Sequence, residues 1–265
     1  MSSLDLPEEF LGPIFFIFGA LLGSFANVII YRLPQGESIV HPRSRCQSCQ
    51  KMIAWYDNIP IASFLILRGR CRNCKAQFSW RYPLVEFLMG ALFCALYFYV
   101  GLSFTLVEYL IFTFGLVTVT FIDFDHMILP DVFTLSGIVI GLVGAALNPE
   151  RQVLDAVIGV LAGGGFLWAV SAIYFALRQQ EGMGGGDIKL LAWIGALLGW
   201  TSVPFVILSS SLIGTLVGVV VMAKNKSDMQ TAIPFGPYLA LGALLFIFGG
   251  SEIARAYVAL FFPSN

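Results

Sequence analysis

The sequence predicts an all-α fold, a polytopic membrane bundle of about eight helices, and two observations carry that prediction. Of its 265 residues, 58% are hydrophobic and 12% charged, whereas soluble domains hold about 45–50% and roughly 25%. The apolar residues also lie in long runs rather than amphipathic stripes, and runs of about 18 or more mark helices that cross a bilayer. Hydrocarbon offers no partner to an unpaired backbone group, so only helices and closed barrels span it. The short alternating segments of a barrel are missing here.

In chain order, the first span covers about Phe10 to Tyr31, and a polar, basic insert runs from Arg32 to Tyr82. Further spans are expected at about Pro83–Val100, Phe104–Ile122, Val132–Leu147 and Val153–Leu177. A short one follows at Ile188–Gly199, then Val203–Ala223 and Phe235–Phe248, with the tail from Ser251 as a possible ninth element. Gly101-Leu102-Ser103 and Asn148-Pro149-Glu150-Arg151 punctuate the series as turns. The expected organisation is therefore 1–31 as a first span, 32–82 as an insert and 83–265 as a multi-span core. The start is acidic (Asp5, Glu8, Glu9) and the first apolar run lacks a small-residue cleavage site, which reads as a retained span rather than a cleaved signal. No sequence repeat or low-complexity tract is evident. Gly-x-x-x-Gly pairs such as Gly19/Gly23 and Gly195/Gly199 let helix backbones approach closely.

Charge sets the expected orientation. With the N-terminus outside, alternating loops place thirteen of the 15 basic residues in the cytoplasm, all but Arg151 and Arg255. The opposite arrangement places two there. The insert and the loops carrying Asp123 and Asp187 then share the cytoplasmic side of a multi-pass protein in contact with membrane lipid.

Within the insert, Cys46-x-x-Cys49 and Cys71-x-x-Cys74 are separated by 21 residues. Two such knuckles offer four thiolates, the ligand set of a tetrahedral zinc site with no position open for water. An insert this small needs a metal or disulfides to hold together, and the reducing cytoplasm argues against disulfides. A structural zinc ion on Cys46, Cys49, Cys71 and Cys74 is thus expected. Cys94 reads as a small apolar core residue and His41 as a solvated loop residue. The basic flanks follow from orientation alone, so no nucleic-acid partner is expected.

Asp123 ends one apolar run, and Asp187 opens the short one after Gly184-Gly185-Gly186. Ionisable groups at membrane depth are costly and usually functional. A dozen apolar residues cover roughly 18 Å of an approximately 30 Å hydrocarbon layer, which puts Asp187 inside its rim. The competing readings are a helix-end acid for Asp123 and an N-cap for Asp187. The glycine loop lacks the Lys-Ser/Thr of a phosphate-binding loop. Two carboxylates held close share one proton, which suits them to activate water and polarise a carbonyl. A transporter using the same acids as ion sites is the rival class. Against it, both acids lie toward one face and the halves do not repeat.

These motifs together resemble the type IV prepilin peptidases. The family's Gly-x-Gly-Asp signature is matched by Gly184-Gly185-Gly186-Asp187, with Gly185 at a variable position. Its first aspartate motif is matched by Asp123-Phe-Asp-His-Met-Ile-Leu-Pro-Asp131, 64 residues before Asp187. Its amino-terminal motif is matched by Gly23-Ser-Phe-Ala-Asn-Val-Ile-Ile-Tyr-Arg-Leu-Pro34. Trp55-Tyr-Asp-Asn-Ile-Pro60, Arg68-Gly-Arg-Cys71 and Arg81-Tyr-Pro-Leu-Val-Glu86 match the family's insert. The resemblance covers roughly residues 20 to 240. It implies an inner-membrane aspartic endopeptidase with Asp123 and Asp187 catalytic. Such enzymes remove the basic leader of prepilins and pseudopilins, and N-methylate the new terminus from S-adenosylmethionine. Asp131 then reads as the cap of the next span, and Asp125 with Glu181 as contacts for a basic leader. Asn27 and Glu86 stand between helix–helix hydrogen bonds and site residues.

Overall fold

The computed structural model describes residues 8–180, 183–225, 234–250 and 252–253. The expectations for Glu181, for most of the Lys224–Gln230 loop and for nearly all of the tail lie outside the described residues. The chain divides into two compact units, Met1–Thr118 and Val119–Asn265.

In the first unit, helix α1 (Glu8–Arg32) lies along α3 (Arg81–Val100). Small residues make that approach possible. A Cβ on Gly23 would sit 2.7 Å from the Glu86 Cα, and one on Gly90 would sit 2.8 Å from the Phe16 carbonyl oxygen. Phe15 stacks on Tyr97 with centroids 4.9 Å apart. The Asn27 amide donates to the Tyr82 carbonyl at 3.1 Å, so Asn27 is a helix–helix tie.

The insert between these helices holds one short α-helix, α2 (Ala62–Ile66), two 3-10 turns at Leu33–Gln35 and Trp55–Asn58, and two matching cysteine turns. The amide of Cys46 donates to the Lys51 carbonyl, and that of Gln50 to the Cys46 carbonyl. Twenty-five residues later, Cys71 donates to Ala76 and Lys75 to Cys71. Gln50 and Lys75 both take positive φ, 57° and 60°. Antiparallel bridges close both turns, Arg45 with Met52 and Arg70 with Gln77. The insert is thus an internal duplication of one turn, which the sequence reading did not find because the repeated unit is only a few residues long. Asp57 pins the second turn: its carboxylate accepts from Arg72 Nε at 2.8 Å and Nη2 at 2.6 Å.

Helix α4 (Phe104–His126) carries the chain from the first unit into the second. There follow α5 (Asp131–Leu147), α6 (Val153–Arg178), α7 (Gly185–Leu198), α8 (Ser202–Asn225) and α9 (Gly236–Leu245), the last continuing into a π turn at Phe246–Gly250. Helix α7 is the centre of this unit. Leu190 through Leu197 are all buried, and α5, α6, α8 and α9 pack around it. Its closest neighbour is α6, where Gly159 and Gly195 meet backbone to backbone and a Cβ on either would collide with the other's carbonyl. Arg151 closes the far end of α7, with Nη2 donating to the Ala196 carbonyl at 2.7 Å. A cation there also meets the negative pole of the helix dipole.

Among the described residues five helices are long and apolar enough to cross a membrane: Phe10–Gln35, Arg81–Val100, Phe104–His126, Val153–Arg178 and Ser202–Ala223. Two shorter apolar helices, Asp131–Leu147 and Gly236–Gly250, accompany them, and the 14-residue α7 lies between the longer ones in sequence. Among the described residues no strand forms beyond the two bridges of the insert.

Candidate active site and metal centre

Asp123 sits in the last turn of α4 and is 5% exposed. The helix stops just beyond it: Met127 takes φ 54° and donates its amide to the Asp123 carbonyl at 2.9 Å. The Asp123 side chain is held from elsewhere. Gly236, at the start of α9, donates its backbone N–H to Oδ2 at 3.1 Å. A Cβ on Gly236 would stand 2.6 Å from that oxygen, so any side chain there would push the carboxylate aside.

Asp187 is the third residue of α7. The N-cap position belongs to Gly184, and no side chain caps the helix. The N-cap reading of Asp187 therefore does not hold. Its amide donates to the Gly184 carbonyl at 3.2 Å, while its Oδ1 is buried with no hydrogen-bond partner among the described residues. A buried, unanswered carboxylate oxygen is costly to keep for structure alone. Asp123 and Asp187 both belong to the second unit, one ending α4 and the other opening α7.

Leu129 braces both sides of this pair. A Cβ on Gly186 would lie 2.8 Å from the Leu129 Cβ, and one on Gly236 would lie 3.1 Å from the Leu129 Cδ2. The loop between α4 and α5 thus fills the space beside the two acids, against glycines that precede Asp187 and bind Asp123. Gly236 and Leu129 were missed in the sequence. The one signal was their neighbourhood to prolines, Pro130 and Pro237, which marks helix starts rather than contacts.

The remaining acids of the loop are placed differently. Asp125 is exposed. Asp131 is the first residue of α5, with Pro130 at the N-cap, and it pairs with Lys189 of α7 at 2.6 Å. The expected cap role is replaced by an ion pair because Lys189, two residues after Asp187, comes within reach of it.

The four cysteines of the insert converge. Their sulfur atoms all lie within 4.8 Å of one another, and those of Cys46 and Cys74 are 3.7 Å apart. Tetrahedral zinc with ligands at about 2.3 Å places its sulfurs roughly 3.8 Å apart, whereas a disulfide needs about 2.0 Å. None of the four is in a disulfide. The backbone amide of Cys49 lowers the Cys46 thiol to about 7 against the effect of burial. The amide of Ala76 acts in the same sense on Cys74, but burial and the neighbouring thiols outweigh it and raise Cys74 to about 11. Thiols this close cannot all shed their protons unless a cation joins them. Cys94, half-buried on α3, and exposed His41 are outside the cluster.

Fold and site together define a polytopic helical membrane protein with a paired-carboxylate centre and a four-cysteine insert. Comparison with known proteins narrows this class. Residues 17–100 match the bacterial peptidase A24 N-terminal domain, and residues 110–219 match the type IV leader peptidase family. A prepilin leader peptidase/N-methyltransferase of Aeromonas hydrophila is 39% identical over 93% of both chains. That of Stutzerimonas stutzeri is 37% identical over 95% of this chain and 98% of its own, and that of Pseudomonas aeruginosa is 35% identical over 91% of each. No solved structure matches. The chain belongs to the type IV leader peptidase family.

Proposed function

We propose that this chain is a bifunctional prepilin peptidase of the bacterial inner membrane. It cleaves the basic leader of prepilins and pseudopilins at the cytoplasmic face and N-methylates the terminus it uncovers. One observation carries the peptidase reading: α4 and α7 bring Asp123 and Asp187 to the two sides of Leu129, with Asp123 held by the Gly236 amide and Asp187 keeping a buried carboxylate oxygen that has no partner among the described residues. In such a pair one acid holds a proton and the other does not, and the titration belongs to the two together. The ionised carboxylate takes a proton from water as the water attacks, and the protonated one donates to the oxygen of the scissile carbonyl. Roles then reverse as the amine leaves. The backbone N–H of Gly236 keeps the Asp123 carboxylate in one orientation throughout.

The basic insert and the acids share one side under the positive-inside rule, which supports an outside N-terminus and a cytoplasmic site. A prepilin then enters with its apolar helix in the bilayer and its leader in the cytoplasm, with the scissile bond at the interface. The exposure of Asp125 supports a contact with a basic leader. The four-cysteine cluster fits structural zinc, held by Cys46, Cys49, Cys71 and Cys74. S-adenosylmethionine is the methyl donor and supplies a methyl group activated on a sulfonium. Incubating the detergent-solubilised protein with a prepilin and following its mass tests the reading. Loss of the leader, followed by gain of a methyl group when the donor is added, is expected. An unchanged mass in both conditions rejects it.

A further inference from the structure

Helix α2 of the insert has five residues, and two of them, Leu65 and Ile66, are large aliphatic side chains that are 61% and 77% exposed. The rest of the helix is packed. Phe64 meets Trp80 edge to face, with ring centroids 4.7 Å apart. The buried Ser63 hydroxyl donates to the Tyr56 carbonyl at 2.9 Å and accepts the Ile59 amide at 3.0 Å. Adjacent bare aliphatics on one turn of helix call for a partner.

Depth identifies that partner. Two ties fix α2 beside the first turns of α3. One is the contact of Phe64 with Trp80, the residue just before Arg81. The other is buried Glu86, in the second turn of α3, whose Oε2 accepts the backbone N–H of Ile61 at 2.7 Å. That bond holds Ile61 at φ 60°, a value that a β-branched residue seldom adopts, so the entry of the chain into α2 is fixed. The 20 residues of α3 rise about 30 Å. The hydrocarbon layer is also about 30 Å thick, so α3 has no turn to spare outside it. A segment tied between Trp80 and Glu86 therefore lies at the border of the membrane rather than out in water.

The apolar surface is continuous across that border. Leu84 and Phe87 are exposed on one face of α3, as lipid-facing residues of a span are. Trp80, four residues before Leu84 and 73% exposed, carries this stripe to Phe64 and so to α2. Tryptophan is the residue that the headgroup level favours at a span end. Just past α2, exposed Arg68 and Arg70 bear the charge that an anionic cytoplasmic leaflet attracts.

We propose that α2 lies in the lipid interface as a short in-plane anchor, with Leu65 and Ile66 among the outer ends of the acyl chains, and that it holds the cysteine insert down on the bilayer surface. The proposal rests on α3 crossing the membrane. The partner is the bilayer itself.

Nitroxide labels on the full, zinc-loaded chain test it, in nanodiscs of phosphatidylethanolamine and phosphatidylglycerol. Cys94→Ala removes the half-buried thiol of α3, and bound zinc shields the other four. Labels are then placed singly at Ile66→Cys and Leu65→Cys, with Leu84→Cys as the lipid-facing reference and Glu37→Cys, at an exposed loop residue beyond α1, as the aqueous one. Relaxation by oxygen, which concentrates in lipid, is compared with relaxation by a water-soluble nickel chelate. The oxygen-to-nickel ratio at 65 and 66 should approach that at 84 and exceed that at 37 severalfold. Zinc content is the folding control. A nickel-dominated signal at either position of α2 would put the helix in water and overturn the proposal. Protection from both reagents would reveal a protein partner, a second copy or the prepilin, and overturn it equally. A nickel-dominated signal at 84 would sink the reading of α3 as a span, and the proposal with it.

Discussion

Gly236 donates its backbone N–H to the carboxylate of Asp123 across 113 residues of chain. The donor is main chain, so no rotamer governs it. The absence of a side chain at 236 is what allows α9 to come this close. Gly236→Ala should therefore displace the Asp123 carboxylate and lower prepilin cleavage about 100-fold, the usual cost of misplacing a reacting group by about 1 Å. Initial rates of leader removal, set beside the thermal unfolding midpoint, separate this from simple misfolding. A variant with normal rates would show that the contact is incidental.

The pair itself makes a sharper demand. Asp123→Asn and Asp187→Asn should each reduce cleavage by about 1000-fold or more, in line with the loss of acid–base catalysis, while both proteins still insert in the membrane. Asp125→Asn, at an exposed position, should cost far less. Substantial processing by either of the first two would remove that residue from the mechanism.

Elemental analysis should find one zinc per chain. Replacing Cys46 and Cys49 together by Ser should lose the metal and open the insert to protease, with cleavage by the second unit less affected. Metal-free protein with an intact, protease-resistant insert would refute the structural role.

The ion pair of Asp57 with Arg72 predicts an acid sensitivity of the insert. Hydrogen bonds from Arg72, and then its charge, hold the Asp57 carboxyl below its ordinary value of 3.8 in spite of some burial. A group with a depressed value contributes stability above its unfolded value and loses it as pH falls through the folded one. Protection of the insert from hydrogen exchange should thus fade below about pH 4 in the wild type, and Asp57→Asn should lack that step. The effect should be small, since Arg72 is exposed and salt screens the pair. Identical acid profiles for the two proteins would exclude it.

Gly159 and Gly195 meet without side chains between α6 and α7. Alanine at Gly159 must push backbone against backbone, so a loss of about 1–3 kcal/mol is expected, read as a lower unfolding midpoint in detergent. Gly165, where a Cβ would meet nothing, is the control on the same helix. Equal stability of the two alanine variants would contradict the packing argument.

Much of this was legible in the sequence because hydrophobic runs and breakers act locally. The run from Val153 predicted α6 almost to the residue, and the paired cysteines predicted their own convergence. Contacts between distant backbones leave no such trace. Nothing around Gly236 announces a partner at Asp123, and nothing around Asp131 announces Lys189. Hydropathy also could not tell α7 from α6. One is enclosed by protein along Leu190–Leu197 and the other exposes Leu161, Trp168 and Leu177, yet both are equally apolar, because lipid and protein interiors select the same side chains.

The shortness of α7 bears on where the hydrolytic water comes from. Fourteen residues rise about 21 Å, against a hydrocarbon layer of about 30 Å. Polar groups stand at both limits: Lys189 paired with Asp131 near one end, Arg151 on the Ala196 carbonyl at the other. Since α5, α6, α8 and α9 enclose α7, the length it lacks lies within the protein bundle rather than against lipid, and solvent entering at the Asp187 end would reach the acid without crossing hydrocarbon. A short helix inside a bundle of longer ones is thus a way for an enzyme embedded in lipid to draw its second substrate.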